Sequence, residues 1–228
     1  MGGRGASSGG GGSSYTSGYL RNNPWLNNMG EETRKAMIEN FENMPEEQQF
    51  YYSLTQDEQN ALVQMQTNTQ TINEYMSGRR TDISPEQSAQ LDQEIANVKS
   101  AISHYDVKEP MTLYRGVNEA EFNNIASGGA TESFKSTSVN SSTAENFARN
   151  QGGYIVEYHA SRGARIANVN GAPGANEGEW LIDSNVKYRR VTRSGNRLIV
   201  EIRGIICLDI IFHSLAAEVQ EAAAVAFL

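Results

Sequence analysis

The hydrophobic period of the chain changes once, at Pro110, and that change limits the folds open to it. Before Pro110 apolar residues recur at helical spacing; after it they alternate as strand residues do. Met37, Phe41 and Met44 stand at i, i+4 and i+7. "TQDE" at 55–58 has the form of a capping box, with Thr55 as N-cap and Glu58 three residues on, and Ala61, Leu62 and Met65 continue as a stripe. "SPEQ" at 84–87 repeats the device with Pro85 at the first helical position, ahead of Leu91, Ile95, Val98 and Ile102. Each start signal opens an apolar face, so residues 30–108 are expected to form helices packed on a core. Beyond Pro110, "MTLYRGV", "GYIVEYHA", "ARIANV" and "EWLI" read as strands, and "STAENFARNQ" at 142–151 as a short helix. "YRRVTRSGNRLIVEIR" reads as a hairpin turning at Ser194–Gly195–Asn196. Helices first and short strands later predict an α+β fold.

The ends differ from this body. Residues 1–24, rich in Gly and Ser, are expected to be a flexible arm, because they offer too little apolar surface to offset the entropy of ordering. Residues 25–109 form the helical lead-in and 110–228 the β-rich part. The last stretch, from Gly204, is apolar but interrupted by Asp209, His213, Glu218 and Glu221. Those breaks argue against a membrane span, which needs about 20 apolar residues; a buried strand over Ile205–Phe212 and a short alanine-rich helix are expected instead. No charged n-region followed by an apolar run opens the chain, so no secretory signal is expected. The net charge of −8 argues against a dedicated nucleic-acid binder, whose phosphate contacts need clustered cations, and suits a neutral or basic partner. Cys207 is the one cysteine, which rules out an internal disulfide and a cysteine-built zinc site. His104, His159 and His213 lie far apart without metal-ligand spacing, so no metal is expected.

Three short motifs occur in order, each beside an expected strand. Arg115–Gly116 ends "YRG", where the glycine lets a ligand approach the backbone. Ser136, Thr137 and Ser138 follow in "FKSTSVN", and Glu177–Gly178–Glu179 precedes Trp180–Leu181–Ile182. Singly they signify little, since a lone arginine, a Ser-Thr-Ser turn or a Glu-x-Glu is ordinary solvated surface. The ordered set is far less expected by chance. In an extended backbone residues i and i+2 share a face, so Glu177 and Glu179 point the same way, and two such charges each need a cation or a shared proton.

These motifs, with "LTQDEQNALVQMQTNTQTINEYM" and "IANVKSAISHYDVKEPMTLYRG" upstream of them, resemble the R-S-E class of mono-ADP-ribosyltransferases over roughly residues 50–203. The sequence is most similar to enzymatic subunits of clostridial binary toxins and to related phage-encoded and insecticidal enzymes. The resemblance implies N-terminal helices packed on a two-sheet β core around an NAD cleft, with 110–228 as the catalytic core. It implies NAD as a substrate, cleaved between nicotinamide and ribose, and a target protein whose arginine accepts the ADP-ribose. Glu179 would stabilise positive charge developing at the ribose, Ser136 would hydrogen-bond and orient Glu179, and Thr137 and Ser138 would support the strand and the nicotinamide pocket. Arg115 would grip the phosphates and Glu177 would guide the incoming guanidinium. Phe147 and Arg149 would flank nicotinamide and reach the phosphates, and Asn73 is a further candidate on the helical lead-in. The loop "NGAPGANEGE", with its glycines and Pro173, is expected to be mobile. It offers Ala172, Ala175 and Asn176 where related enzymes usually carry an aromatic, which leaves the acceptor's identity open.

Two other readings stand beside this one. An NAD glycohydrolase would use the same chemistry with water as acceptor, and a non-catalytic structural or binding module would keep the fold alone. Action is expected in the cytoplasm of the producing or infected cell, or in a target cell reached with a delivery or virion partner.

Overall fold

The computed structural model describes residues 15–173 and 178–203. Five helices come first: α1 (Thr16–Asn22), α2 (Glu31–Glu42), α3 (Glu46–Ser53), α4 (Gln56–Met76) and α5 (Pro85–Ser103), with a 3-10 turn at Pro24–Asn28. Then follow β1 (Met111–Val117), α6 (Glu119–Ala126), β2 (Lys135–Ser138), α7 (Ser141–Arg149), β3 (Tyr154–Ala160), β4 (Ile166–Asn168), β5 (Glu179–Ile182), β6 (Tyr188–Ser194) and β7 (Arg197–Ile202). The α+β reading holds. The expected strand at Ile205–Phe212 and the helix after it lie outside the described residues.

Local chemistry sets the helix ends. Both capping boxes form: the Thr55 hydroxyl accepts from the Glu58 N–H while the Glu58 carboxylate accepts from the Thr55 N–H, and Ser84 and Gln87 repeat the exchange. Pro45 starts α3 and breaks the helical region after α2. Ala61, Leu62, Met65 and Ile72 of α4 are buried with Leu91, Val98, Ala101 and Ile102 of α5. α4 is kinked at Asn68, whose φ and ψ are −120° and 22°. The flanking hydroxyls of Thr67 and Thr69 bond back to the carbonyls of Val63, Gln64 and Met65, a pattern that bends helices.

The flexible arm expected over 1–24 does not hold for residues 15–24, and residues 1–14 lie outside the described residues. Thr16–Asn22 is helical, Tyr15 is buried against Phe50, and the Tyr19 ring stacks on Phe41 at 4.1 Å. Two tyrosines supply the apolar area that the mean composition of the stretch conceals.

The two sheets implied by the resemblance are two halves of one seven-stranded sheet in the order β4-β5-β2-β1-β3-β7-β6. All neighbouring pairs are antiparallel except β3 with β7. β4-β5-β2 and β1-β3-β7-β6 meet where β1 and β2 share one register pair, Tyr114 with Ser138. The halves therefore splay apart below that pair. The hairpin β6–β7 turns through Gly195 and Asn196 as expected, with Gly195 at φ +61°. α6 has no counterpart in the expected elements; Asn118 caps it and Phe122 and Ile125 bury its apolar side.

Two apolar clusters flank the sheet. One packs helices α1 to α5 on Phe134, Ala167 and Leu181; the other packs α6 on the inner residues of β1, β3 and β7. Tyr105 and Trp180, edge to face at 5.4 Å, join them. On the opposite face α7 crosses β1 at Gly116. A Cβ there would lie 2.4 Å from the Ala144 carbonyl oxygen and 2.5 Å from the Ala148 nitrogen. The glycine is needed for this helix-on-strand approach, a reason additional to any ligand contact.

Two predictions follow from this packing. Gly116→Ala forces backbone apart and is expected to cost about 2 kcal/mol, the usual range for overpacking, seen as a thermal midpoint lower by about 5 °C. The second concerns Glu58, buried between α4 and α5, which accepts from the Ser100 hydroxyl at 2.6 Å and lies 3.2 Å from His104 Nε2. Burial pushes its carboxyl up, but the bonds from Ser100 and Thr55 and the nearby His104 outweigh burial and hold it below its ordinary value. A carboxyl held low stabilises the fold above its ordinary value and loses that contribution as pH falls through its folded one. Thermal unfolding of the parent and Glu58→Gln should therefore differ most near neutrality, and the gap should close below pH 4.5.

Candidate active site

The splay of the sheet opens a cleft of about 470 Å³ between α4, α7 and the ends of β1, β2 and β5. Arg115, Gly116, Ser136, Thr137, Ser138, Phe147 and Glu179 all line it, so three motifs separated in sequence reach one cavity. Tyr114 of β1, Gln66 and Thr69 of α4, and Thr143 and Gln151 around α7 complete the wall. Phe147 is 51% exposed, which identifies it as an aromatic at the mouth and not a core residue.

Arg115 is held on two sides. Its Nη1 donates to the Ser136 carbonyl at 2.8 Å, and its Nε and Nη2 face the Glu121 carboxylate at 3.3 and 3.4 Å. Lys135 Nζ reaches the same carboxylate at 3.0 Å. Burial pulls the Glu121 carboxyl up, but the charges and hydrogen bonds of Arg115 and Lys135 outweigh it and keep it below its ordinary value. Two cations thus surround one ionised carboxylate, leaving one positive charge unopposed in the group. A guanidinium has five N–H donors, and three contacts leave one hydrogen on each terminal nitrogen.

Arg115 also borders a second cavity, of about 340 Å³, with Asn73, Arg79, Asn118, Glu121 and Lys135 among its walls. Asn73 is therefore placed beyond the arginine and away from the first cleft. Its Oδ1 is buried with no hydrogen-bond partner among the described residues. Arg149 is exposed at the end of α7 and lines neither cavity. Glu177 lies outside the described residues.

Glu179 opens β5, with Ser138 directly across from it on β2. Ser136 is opposite Leu181, one diagonal step from Glu179, a separation of about 7–8 Å between Cα atoms that side chains can bridge. Ser138 Oγ accepts from the Asn140 N–H at 3.1 Å, and the Asn140 side chain caps α7. Thr137 Oγ1 donates to the Trp180 carbonyl at 2.8 Å and ties β2 to β5. The backbone N–H of Glu179 donates to Asn170 Oδ1 at 2.7 Å.

Glu121, Lys135, Asn170, Gln66 and Thr69 were not singled out from sequence. Glu121 lies six residues after Arg115, but on α6, a helix too short for its apolar period to stand out. Asn170 belongs to a loop where asparagine is unremarkable. Only the tertiary pairing gives these residues a role.

The family described as ADP-ribosyltransferase exoenzyme matches residues 39–203. The chain is 31% identical over 115 residues to the NAD(+)–arginine ADP-ribosyltransferase EFV of Enterococcus faecalis, a match covering 48% of this chain and 24% of that protein. The chain thus matches about a quarter of the length of that relative. Among solved structures it is similar to Plx2a, an ADP-ribosyltransferase toxin of Paenibacillus larvae, with a TM-score of 0.52, 20% identity, and coverage of 69% of this chain and 90% of that one. The Vis toxin of Vibrio splendidus gives 0.51 at 23% identity, covering 78% and 87%. The enzymatic component C2-I of the Clostridium botulinum C2 toxin gives 0.50 at 22%, covering 68% and 45%. At such identities the structural likeness is one of fold, while the family match runs through all the strands that form the cleft. The chain belongs to the ADP-ribosyltransferase exoenzyme family.

Proposed function

We propose that the protein is a mono-ADP-ribosyltransferase that cleaves NAD and transfers ADP-ribose to an arginine side chain of a target protein. One observation carries the reading: Arg115 stands between two cavities, and Glu179 lines one of them. A dinucleotide has the matching plan, two bulky halves joined by a charged pyrophosphate. The family match and the name of the Enterococcus faecalis relative support the same substrate pair.

In this reading the two remaining hydrogens of Arg115 bind the pyrophosphate, and the unopposed positive charge of the Arg115–Glu121–Lys135 group attracts it. Nicotinamide occupies the cleft lined by Phe147 and Glu179, and Asn73 offers its unpaired amide oxygen to a hydroxyl of the other half. The bond between ribose and nicotinamide nitrogen breaks with both electrons leaving on the nitrogen, so nicotinamide departs neutral and positive charge develops at the ribose. The Glu179 carboxylate faces that charge and stabilises it more as it grows, which is the condition for lowering the barrier. Ser136 and Ser138 orient Glu179, and Gly116 keeps α7 close over the wall of the site. A guanidinium nitrogen of the acceptor then bonds to the ribose carbon and gives up a proton. Free arginine has a pKa above about 12, so Glu177 orients the guanidinium and takes the proton late. The partners are a protein that displays an arginine and, where the chain must enter another cell, a delivering protein. Action in the cytoplasm, of the cell that makes the protein, an infected cell or the cell it enters, fits this substrate.

Nicotinamide release from NAD, followed with and without an arginine analogue, tests the reading. Glu179→Gln should lower release by about 10³-fold or more; release at the parent rate would place the chemistry elsewhere. Glu177→Gln should abolish transfer to the analogue while hydrolysis continues. If both fall together, Glu177 has no special part in guiding the acceptor. A parent enzyme that releases nicotinamide but never labels the analogue or any lysate protein would be a glycohydrolase.

A further inference from the structure

The backbone around Glu179 is secured by an unusual substitute for a strand. β4 ends at Asn168, whose partner on β5 is Trp180. The next rung of the ladder would pair Val169 with Glu179. Half of it forms, since the Val169 N–H donates to the Glu179 carbonyl at 3.1 Å. The other half is missing, because the chain turns and the Val169 carbonyl accepts from the Ala172 N–H instead, at 3.2 Å. The side chain of Asn170 fills the gap. Its Oδ1 accepts from the Glu179 N–H at 2.7 Å, and its Nδ2 donates to the Glu179 carbonyl at 3.3 Å. The second hydrogen of Nδ2 goes to Asn168 Oδ1 at 2.6 Å. One amide thus holds both backbone groups of one residue, as a neighbouring peptide unit would, and the roles fix which atom is oxygen and which nitrogen.

The turn that carries Asn170 is itself anchored. Val169 and Ala172 are 3% and 4% exposed. Gly171 lies so close to α3 that a Cβ would fall 2.0 Å from the Glu47 carbonyl oxygen. The clamp therefore runs from the helical layer through the turn to the first residue of β5. It uses the first residues of the glycine-rich loop and does not pass through residues 174–177, which include Glu177.

We propose that Asn170 is a positioning residue for the Glu179 carboxylate: by gripping the backbone on both sides of that residue it fixes how the side chain enters the cleft, independently of the segment that presents Glu177. The inference rests on the role given to Glu179 above. The N–H and carbonyl of one residue define its position and its rotation about the strand axis, and the side chain follows both. Misplacement of a reacting group by about 1 Å can cost a rate factor of about 10².

Kinetics of nicotinamide release by Asn170→Ala test this. The expected result is a kcat lower by about 10- to 100-fold with the KM for NAD within about twofold of the parent, because Arg115 and the second cavity keep their own supports. The thermal midpoint should shift by less than about 3 °C, since the turn keeps its anchor at Gly171. Should the alanine variant fold poorly, Asn170→Ser serves: it is small and uncharged, its single hydroxyl can replace at most one of the two bonds to Glu179, and it should show a smaller fall in kcat at unchanged KM. A folded variant with the parent kcat would overturn the proposal. So would a loss of kcat matched by an equal rise in KM or by a large drop in thermal midpoint, the signature of a merely structural residue. Glu179→Gln measured alongside separates the two levels. If that variant still releases nicotinamide, the role given to Glu179 fails; if it is inactive while Asn170→Ala matches the parent, only the positioning role fails.

Discussion

The structure depends on a single hydrogen bond pattern at Arg115. β1 and β2 share one register pair, so the two halves of the sheet would be joined there by little backbone. Arg115 extends from β1 to the Ser136 carbonyl of β2 at 2.8 Å and supplies a further rung past the end of the ladder. The same guanidinium is braced by Glu121 from α6. A side chain can reach across a gap that a backbone rung cannot, so the sheet can open into a cleft without separating. A residue that lines the cleft thus also ties together the two strands on either side of it.

That double use has an electrostatic condition. Under the proposed function Arg115 binds phosphate, and such an arginine gains from a carboxylate beside it only where the carboxylate fixes its geometry and another cation restores the charge. Lys135 meets that condition from β2, the strand that also carries Ser136 and Ser138. The arrangement exchanges some attraction for a fixed direction, and a planar fork bound on one side presents its other side at a set angle. The rest of the chain is acidic, so this small positive group is a local exception in a field that does not favour anions.

Much of this was legible in the sequence where the signal is local. The capping boxes at Thr55 and Ser84 close over four residues, and both formed as read. The hairpin at Gly195–Asn196 is also a short-range feature and appears in place. The three motifs could be seen to belong together because a resemblance supplied the grouping, and the cleft gathers residues of all three. What was missed depends on contacts distant in sequence. Averaging the composition of the first residues hid Tyr15 and Tyr19, whose rings find Phe50 and Phe41 only in the folded chain. α6 is an eight-residue helix directly after a strand, too short for its period to stand out. That the halves form one sheet turns on the single pair Tyr114–Ser138, and that Ser138 rather than Ser136 stands opposite Glu179 turns on strand register. Neither leaves a local mark.

Arg115, Asn170 and Thr131 share one physical circumstance. A cleft in a β-sheet exists only where the backbone ladder stops, and each interrupted rung leaves an N–H or carbonyl to be satisfied. Here side chains take those groups: Arg115 at Ser136, Asn170 at Glu179, and Thr131, whose hydroxyl donates to the Asp183 carbonyl at 2.7 Å and accepts from the Val186 N–H at 2.9 Å. Such side chains are fixed at one end by the backbone they serve, so they place their neighbours with the accuracy of a strand while leaving room beside them. The cost is that each replaces a rung that any residue could make with one that a single residue type can make. On this reasoning, side chains that mend an interrupted ladder beside a cleft are the ones whose replacement should alter rate before it alters stability, and a search for supporting residues in this fold is best begun at the ends of its strands.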